Sequence, residues 1–122
     1  MTYRKKRIVF VDDELQVLAG LKRLLRPMRA EWDVVLANSG PEALAYLDKE
    51  PVDVVVTDMR MPGMDGAALL ERVCLRSPRT VRIILSGMAD KESTLRSVTV
   101  SHQFLSKPCD PKELVAVVER TC

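Results

Sequence analysis

The chain predicts a doubly wound α/β fold, (βα)5, in which one parallel sheet carries helices on both faces. Two observations lead there. Short apolar runs alternate with stretches of helical spacing from end to end, the pattern of βα units whose right-handed crossovers place helices on both sides of the sheet. Asp12, Asp13, Asp58, Ser86 and Lys107 also fall at or just past the ends of those runs. Open α/β sheets bind their ligands outside the carboxyl ends of the strands. Separate segments would thus deliver three carboxylates, a hydroxyl and an ammonium to one crevice.

Taken in order, Ile8-Val-Phe-Val11 is the first strand. Val17, Leu18, Leu21, Leu24 and Leu25 then mark an apolar stripe of helical spacing, closed by Pro27. Val34-Val35-Leu36 is the second strand. Ser39-Gly40-Pro41-Glu42 starts a helix, with a capping residue and a proline in the first turn, where its missing N–H costs nothing. Leu44 and Leu47 form that helix's buried face, and Lys49-Glu50-Pro51 ends it. Val52 to Thr57 is the third strand and delivers Asp58. The turn-rich loop Met61-Pro-Gly-Met-Asp-Gly66 follows, in which Asp65 can cap a helix that buries Leu69, Leu70 and Val73 and stops at Ser77-Pro78. Val81 to Leu85 is the fourth strand, ending at Ser86. A helix over Asp90 to Val100 is rich in Ser, Thr and Val, which are poor helix formers. His102 to Leu105 is a short fifth strand, and Asp110-Pro111 opens a last helix with Leu114, Val117 and Val118 inward.

At 122 residues, 47% hydrophobic and 30% charged, this is one domain with an aliphatic core. A net charge of +2 is too small to imply a nucleic-acid or membrane partner. The run Arg4-Lys5-Lys6-Arg7 is read as a solvated arm before the first strand, and no apolar stretch approaches the roughly 20 residues that span a bilayer. Three cysteines, Cys74, Cys109 and Cys122, have no metal-ligand spacing and fit a reducing cytoplasm. Cys109 is read as a loop cysteine, the lone His102 as a structural or surface residue, and Trp32 and Tyr46 as packing residues.

Three uncompensated carboxylates in one crevice would repel each other until one took up a proton. A hard divalent cation with a preference for oxygen removes the conflict, and Mg²⁺ is the natural choice. Asp13 and Asp58 would bind directly, and Asp12 directly or through water. A carboxylate can also act as a nucleophile toward phosphorus. The charge on the transferred oxygens then needs positive charge and donors, of the kinds that Mg²⁺, Lys107 and Ser86 supply.

The segments Phe10-Val-Asp-Asp-Glu14, Val56-Thr-Asp-Met-Arg-Met-Pro-Gly-Met-Asp-Gly66, Leu85-Ser-Gly87 and Phe104-Leu-Ser-Lys-Pro108 resemble the receiver domain of bacterial two-component response regulators. The resemblance covers essentially the whole chain. It implies a flavodoxin-like strand order 2-1-3-4-5, Asp58 as phosphoacceptor, and Mg²⁺ (Mn²⁺ as a substitute) held by Asp12, Asp13, Asp58 and the backbone carbonyl of Arg60. It implies a phosphodonor too, a sensor histidine kinase or a phosphotransfer protein, and a cis peptide before Pro108. Ser86 and Lys107 would bind the phosphoryl group, and Phe104 would be the switch aromatic. Phe104 lacks the hydroxyl of the tyrosine common at that position, so a switch there works by packing. Arg60 and Met88 stand at variable positions two residues after Asp58 and Ser86 and would modulate the phosphoryl group. His102 to Asp110 is similar to receivers that precede HD-related (HDOD or HD-GYP) output domains. The expected unit is residues 1–122, whole or a fragment of a longer cytoplasmic regulator, controlling a C-terminal output domain or a homodimer partner through the surface of its fourth helix, fifth strand and fifth helix.

Two other readings compete. A phosphatase of the haloacid-dehalogenase kind would place a second Asp two residues after its nucleophile, where this chain has Arg60. A flavodoxin-like nucleotide binder needs a glycine-rich loop after the first strand, where Asp12-Asp13-Glu14 would repel a phosphate.

Overall fold

A computed structural model describes residues 5–86, 103–106, 115, 116, 118 and 119, with only the backbone described for Ser86 and for residues 103–106. Five strands form one parallel sheet: β1 (Lys6–Val11), β2 (Trp32–Ala37), β3 (Val54–Asp58), β4 (Val81–Ser86) and β5 (Gln103–Ser106), in the order β2-β1-β3-β4-β5. Three helices are described in full: α1 (Leu15–Leu24), α2 (Gly40–Lys49) and α3 (Gly66–Arg76). A one-turn 3-10 helix, Arg26–Met28, follows α1, with Pro27 in its first turn. The reversal of strand order next to β1 opens a crevice at the carboxyl ends of β1 and β3.

Alternation along the strands divides the core in two, because successive strand side chains point to opposite faces. Val9, Val11, Val55 and Ile84 pack with α2 and α3, against Ala43, Leu44, Leu69, Leu70 and Val73. Ile8, Phe10, Val54, Val56 and Ile83 lie on the other face with Leu25, Trp32 and Val118. Residues 115, 116, 118 and 119 are helical, and Val118 is fully buried.

The helix starts follow local chemistry. Ser39 caps α2 by accepting the Glu42 N–H at 3.2 Å, and Asp65 caps α3 by accepting the Ala68 N–H at 2.8 Å. Trp32 is buried, and Tyr46 is half-buried against the α2–α3 core.

β3 starts at Val54 and takes in Asp58 where the sequence suggested Val52 to Thr57, β5 runs Gln103–Ser106 where it suggested His102 to Leu105, and three further details differ from the sequence expectation. β1 begins at Lys6, so Lys6 and Arg7 belong to the strand rather than to a solvated arm. Arg7 is held there by Asp33 at 3.1 Å, by Glu50 at 3.4 Å and by the Pro51 carbonyl at 3.1 Å. On α1, Leu18 is buried and Leu21 half-buried, and Leu25 just after it is buried, but Val17 and Leu24 are 39% and 53% exposed. The helix turns a narrower face to the sheet than its apolar stripe is wide. β2 runs two residues earlier and one later than its apolar triplet, because pairing with β1 extends from Trp32 to Ala37. The helix expected over Asp90 to Val100, and Leu114 and Val117 of the last helix, lie outside the described residues.

Candidate phosphoacceptor site

Register builds the site. β1 and β3 pair with Val11 opposite Thr57, so the residue after each, Asp12 and Asp58, stand side by side at the sheet's carboxyl edge. Asp13 follows on the loop into α1. Carboxylate oxygens of Asp12, Asp13 and Asp58 all lie within 4.8 Å of one another. Asp12 and Asp58 are buried, each 4% exposed, while Asp13 faces solvent.

Local hydrogen bonds hold the Asp12 carboxylate and the main chain at Asp12 and Asp58. Asp12 donates its own N–H to the Ala37 carbonyl at 3.1 Å, and its Oδ1 accepts the Glu14 N–H at 2.9 Å. The Asp58 carbonyl oxygen accepts the Thr57 hydroxyl at 3.0 Å. Beyond Asp58, the Met59 N–H reaches the Leu85 carbonyl and the Gly66 N–H returns to the Met59 carbonyl at 2.8 Å, which closes the β3–α3 loop. Within that loop Gly63 has φ +79°, and Pro62-Gly63 meets the demand of a type II turn for proline and then a left-handed residue. An open cleft of about 330 Å³ lies between Asp13 and the loop, lined also by Met59, Arg60, Met61, Pro62 and Asp65.

The donor set suits a hard cation. It is all oxygen and formally triply negative, and it borders a cleft that water can enter; Mg²⁺ keeps several waters and takes only a few protein oxygens. Asp12, Asp13 and Asp58 are therefore a group able to hold a metal ion. Arg60 lies in the adjoining loop, on the cleft wall.

The remaining predicted residues divide by where they fall. The backbone of Ser86 ends β4, next to the Leu85 that pairs with Asp58. Phe104 lies in β5 opposite Ile84, and Ser106 stands opposite Ser86. Lys107, Pro108 and Met88 lie outside the described residues. One positioning residue had no role assigned from sequence: Gly66, where a Cβ would meet the Asp58 carbonyl oxygen and stand 2.9 Å from the Met59 Cα. Its only local signal was a glycine directly after a capping aspartate.

Among the described residues, no helix is long and apolar enough to cross a membrane. Residues 8–119 match the family described as response regulator receiver domain. The chain is 34% identical over 122 residues to the hydrogenase transcriptional regulatory protein HoxA of Cupriavidus necator, covering 98% of this chain and 25% of that protein. It is 36% identical over 111 residues to the DNA-binding transcriptional regulator NtrC of Salmonella typhimurium, covering 90% and 23%. It thus spans about a quarter of the length of these curated relatives. Among solved structures, the signal receiver domain of an HD domain-containing protein from Pseudomonas fluorescens Pf-5 superposes with a TM-score of 0.90 at 31% identity, over 97% of this chain and 94% of that one. With the 2-1-3-4-5 sheet and three carboxylates at its switch point, the chain belongs to the receiver domain family of response regulators.

Proposed function

We propose that Asp58 is the phosphoacceptor of a signalling switch, taking its phosphoryl group from the phosphohistidine of a sensor histidine kinase or a phosphotransfer protein. The convergence of Asp12, Asp13 and Asp58 at the ends of β1 and β3 carries this reading. An Asp58 carboxylate oxygen attacks phosphorus and forms the O–P bond. The N–P bond of the donor breaks, and its electron pair leaves with the imidazole nitrogen.

Asp12, Asp13, Asp58 and the Arg60 carbonyl would hold Mg²⁺, with Mn²⁺ as a substitute. When bound, the ion supplies positive charge for the phosphoryl oxygens. Asp12 is kept in orientation by the Glu14 N–H, and Asp58 is buried beside it. Ser86 and Lys107 bind the phosphoryl oxygens; Ser86 at the end of β4 and Ser106, just before Lys107, at the end of β5 support this by their opposed register. Arg60 and Met88 border the phosphoryl group and set its access to water. Phe104, the cis-proline Pro108 and the surface of residues 90–122 carry the response to an output domain or a second copy.

Residues 1–122 act as the receiver unit of a longer cytoplasmic regulator, and the solved neighbour from an HD domain-containing protein favours an HD-related output. The domain promotes only its own phosphorylation and dephosphorylation. Arg60, in place of a second aspartate two residues past Asp58, supports a switch over a turnover phosphatase.

Intact-mass measurement after acetyl phosphate and Mg²⁺ tests the assignment. The wild type gains a phosphoryl group and Asp58→Asn gains none. Equal phosphorylation of the two proteins would overturn it.

A further inference from the structure

β2 is an edge strand, and among the described residues its only strand partner is β1. The Lys6 N–H reaches the Glu31 carbonyl and the Asp12 N–H the Ala37 carbonyl. In a parallel ladder the N–H and C=O of one residue point to the same side, and the side alternates along the strand. Asp33 and Val35 therefore turn their peptide groups to β1, while Trp32, Val34 and Leu36 turn theirs outward. Trp32-Asp-Val-Val-Leu-Ala37 has no proline, lysine or bulge to blunt this edge, and its one charge, Asp33, is paired with Arg7 of β1.

The same three residues also floor a cavity of about 540 Å³, together with Leu25. Val34 and Leu36 are half-buried and leave apolar surface open to it. The rim is cationic: Lys22 on α1, Arg26 and Arg29 around the 3-10 helix, and Lys5 ahead of β1, all four exposed. Among the described residues none of them has a carboxylate partner. Asp33, the one acid on the lining among the described residues, is taken by Arg7 at 3.1 Å. Cations suit a helix C-terminus and so account for Lys22 and Arg26. Lys5 and Arg29 lie on other segments and converge on the same opening. On the opposite face of β2 a second cavity, of about 310 Å³, is bordered by Val35, Ala45 and Tyr46.

We propose that the β2 edge takes up an extended segment of a partner protein as a sixth strand, in which acidic residues alternate with apolar ones. Its main chain pairs with the outward peptide groups of Trp32, Val34 and Leu36. Acidic side chains on the α1 face lay their methylenes on the apolar floor and reach the Lys5, Lys22, Arg26 and Arg29 rim. Apolar side chains on the other face cover Val35 and Tyr46. Strand addition draws affinity from the main chain and selectivity from alternate pockets. A second copy of this chain is the poorer occupant, since edge-to-edge pairing would bring one cationic rim beside another.

Trp32, the chain's one tryptophan, lies on the cavity floor and reports binding by its emission. The probe is a capped Glu-Val-Glu-Val-Glu-Val-Glu peptide. The expected result is a saturable emission change that weakens with added salt. It should weaken about tenfold or more when Lys22→Glu and Arg26→Glu are combined, and when alternate peptide amides are N-methylated. Both substituted residues are exposed, and circular dichroism checks that the variant is folded. Any of four results would overturn the proposal. These are no binding, binding indifferent to N-methylation, equal binding of the lysine-for-glutamate peptide, and the same emission change from free glutamate or inorganic phosphate. Sedimentation of the peptide-free protein covers the remaining occupant: a dimer strengthened by the same double substitution, which relieves the repulsion between the two cationic rims, would assign the edge to a second copy instead.

Discussion

Gly66 lies directly against the backbone of Asp58, so that a methyl group on Gly66 would run into the Asp58 carbonyl oxygen and the Met59 Cα. The first residue of α3 is thereby pressed onto the last residue of β3, and the Gly66 N–H to Met59 carbonyl bond clasps the two. Since both obstructing atoms are backbone, no side chain can rotate away to make room.

Gly66→Ala is therefore expected to destabilise the fold by about 1–3 kcal/mol, the usual range for overpacking. It should also displace Asp58 and slow its modification by acetyl phosphate. Gly20→Ala is the control. A Cβ at Gly20 meets nothing within 4 Å, and the position is interior to α1. Helix propensity alone should make that variant more stable by up to about 1 kcal/mol. Thermal melts of the two variants, with opposite signs expected, decide whether the close contact matters.

Metal binding should depend on the three site carboxylates and not on acids elsewhere on the surface. Asp12→Asn keeps an Oδ1 acceptor for the Glu14 N–H, so its fold should survive while the site loses a charge. Calorimetric titration with Mg²⁺ is expected to show affinity about tenfold weaker or worse for Asp12→Asn and Asp13→Asn. Glu42→Gln, an exposed acid at the start of α2, should leave it unchanged. Removing Mg²⁺ with EDTA should abolish modification by acetyl phosphate. Undiminished affinity in both aspartate variants would place the ion elsewhere.

The parts of this molecule that sequence discloses are those where the cause is local. Ser39 and Asp65 cap their helices because a short acceptor placed before a first turn has an N–H within reach. Asp12 and Asp58 meet because each ends an apolar run, and runs of that kind pair in register. Causes lying far apart in the chain stay hidden. Arg7 looks like a member of a basic arm until its partners Asp33 and Glu50, 26 and 43 residues away, are brought beside it. Val17 and Leu24 look like core because periodicity cannot tell how wide a face the sheet will cover. Gly66 looks like one more turn residue, since its constraint comes from Asp58 across the loop.

The Arg7 cluster should contribute modestly. Its ion pairs with Asp33 and Glu50 are partly exposed, with carboxylate side chains 45% and 52% accessible, so screening limits their worth. The hydrogen bond to the Pro51 carbonyl ties β1 to the start of the β3 segment. Arg7→Met keeps the stem and removes the head, and is expected to lower the melting temperature slightly, by an amount that shrinks as salt is added. A melt insensitive to the substitution at low salt would show that the cluster is only a surface arrangement.

The same cluster shapes a pH response through Tyr46. Burial against the α2–α3 core disfavours the phenolate and raises the Tyr46 pKa above its ordinary 10.0, with the carboxylates of Asp33 and Glu50 adding to the rise and Arg7 opposing it. The folded state therefore holds this proton more tightly than the unfolded chain does. For a raised group the stabilisation is fully present below the unfolded pKa and is lost as pH rises through the folded one. Stability should consequently fall from about pH 10 upward. Tyr46→Phe removes the titration while keeping the ring, so its melting temperature should decline less over that window than that of the wild type. Below pH 9 the two curves should run parallel, since the phenol is neutral there in both states. Arg7→Met takes away the cation that opposes the shift, so it should leave the onset near pH 10 where it is and carry the decline further, to higher pH and a larger total loss. Identical declines in the wild type and Tyr46→Phe would show that the ring does not sense its burial.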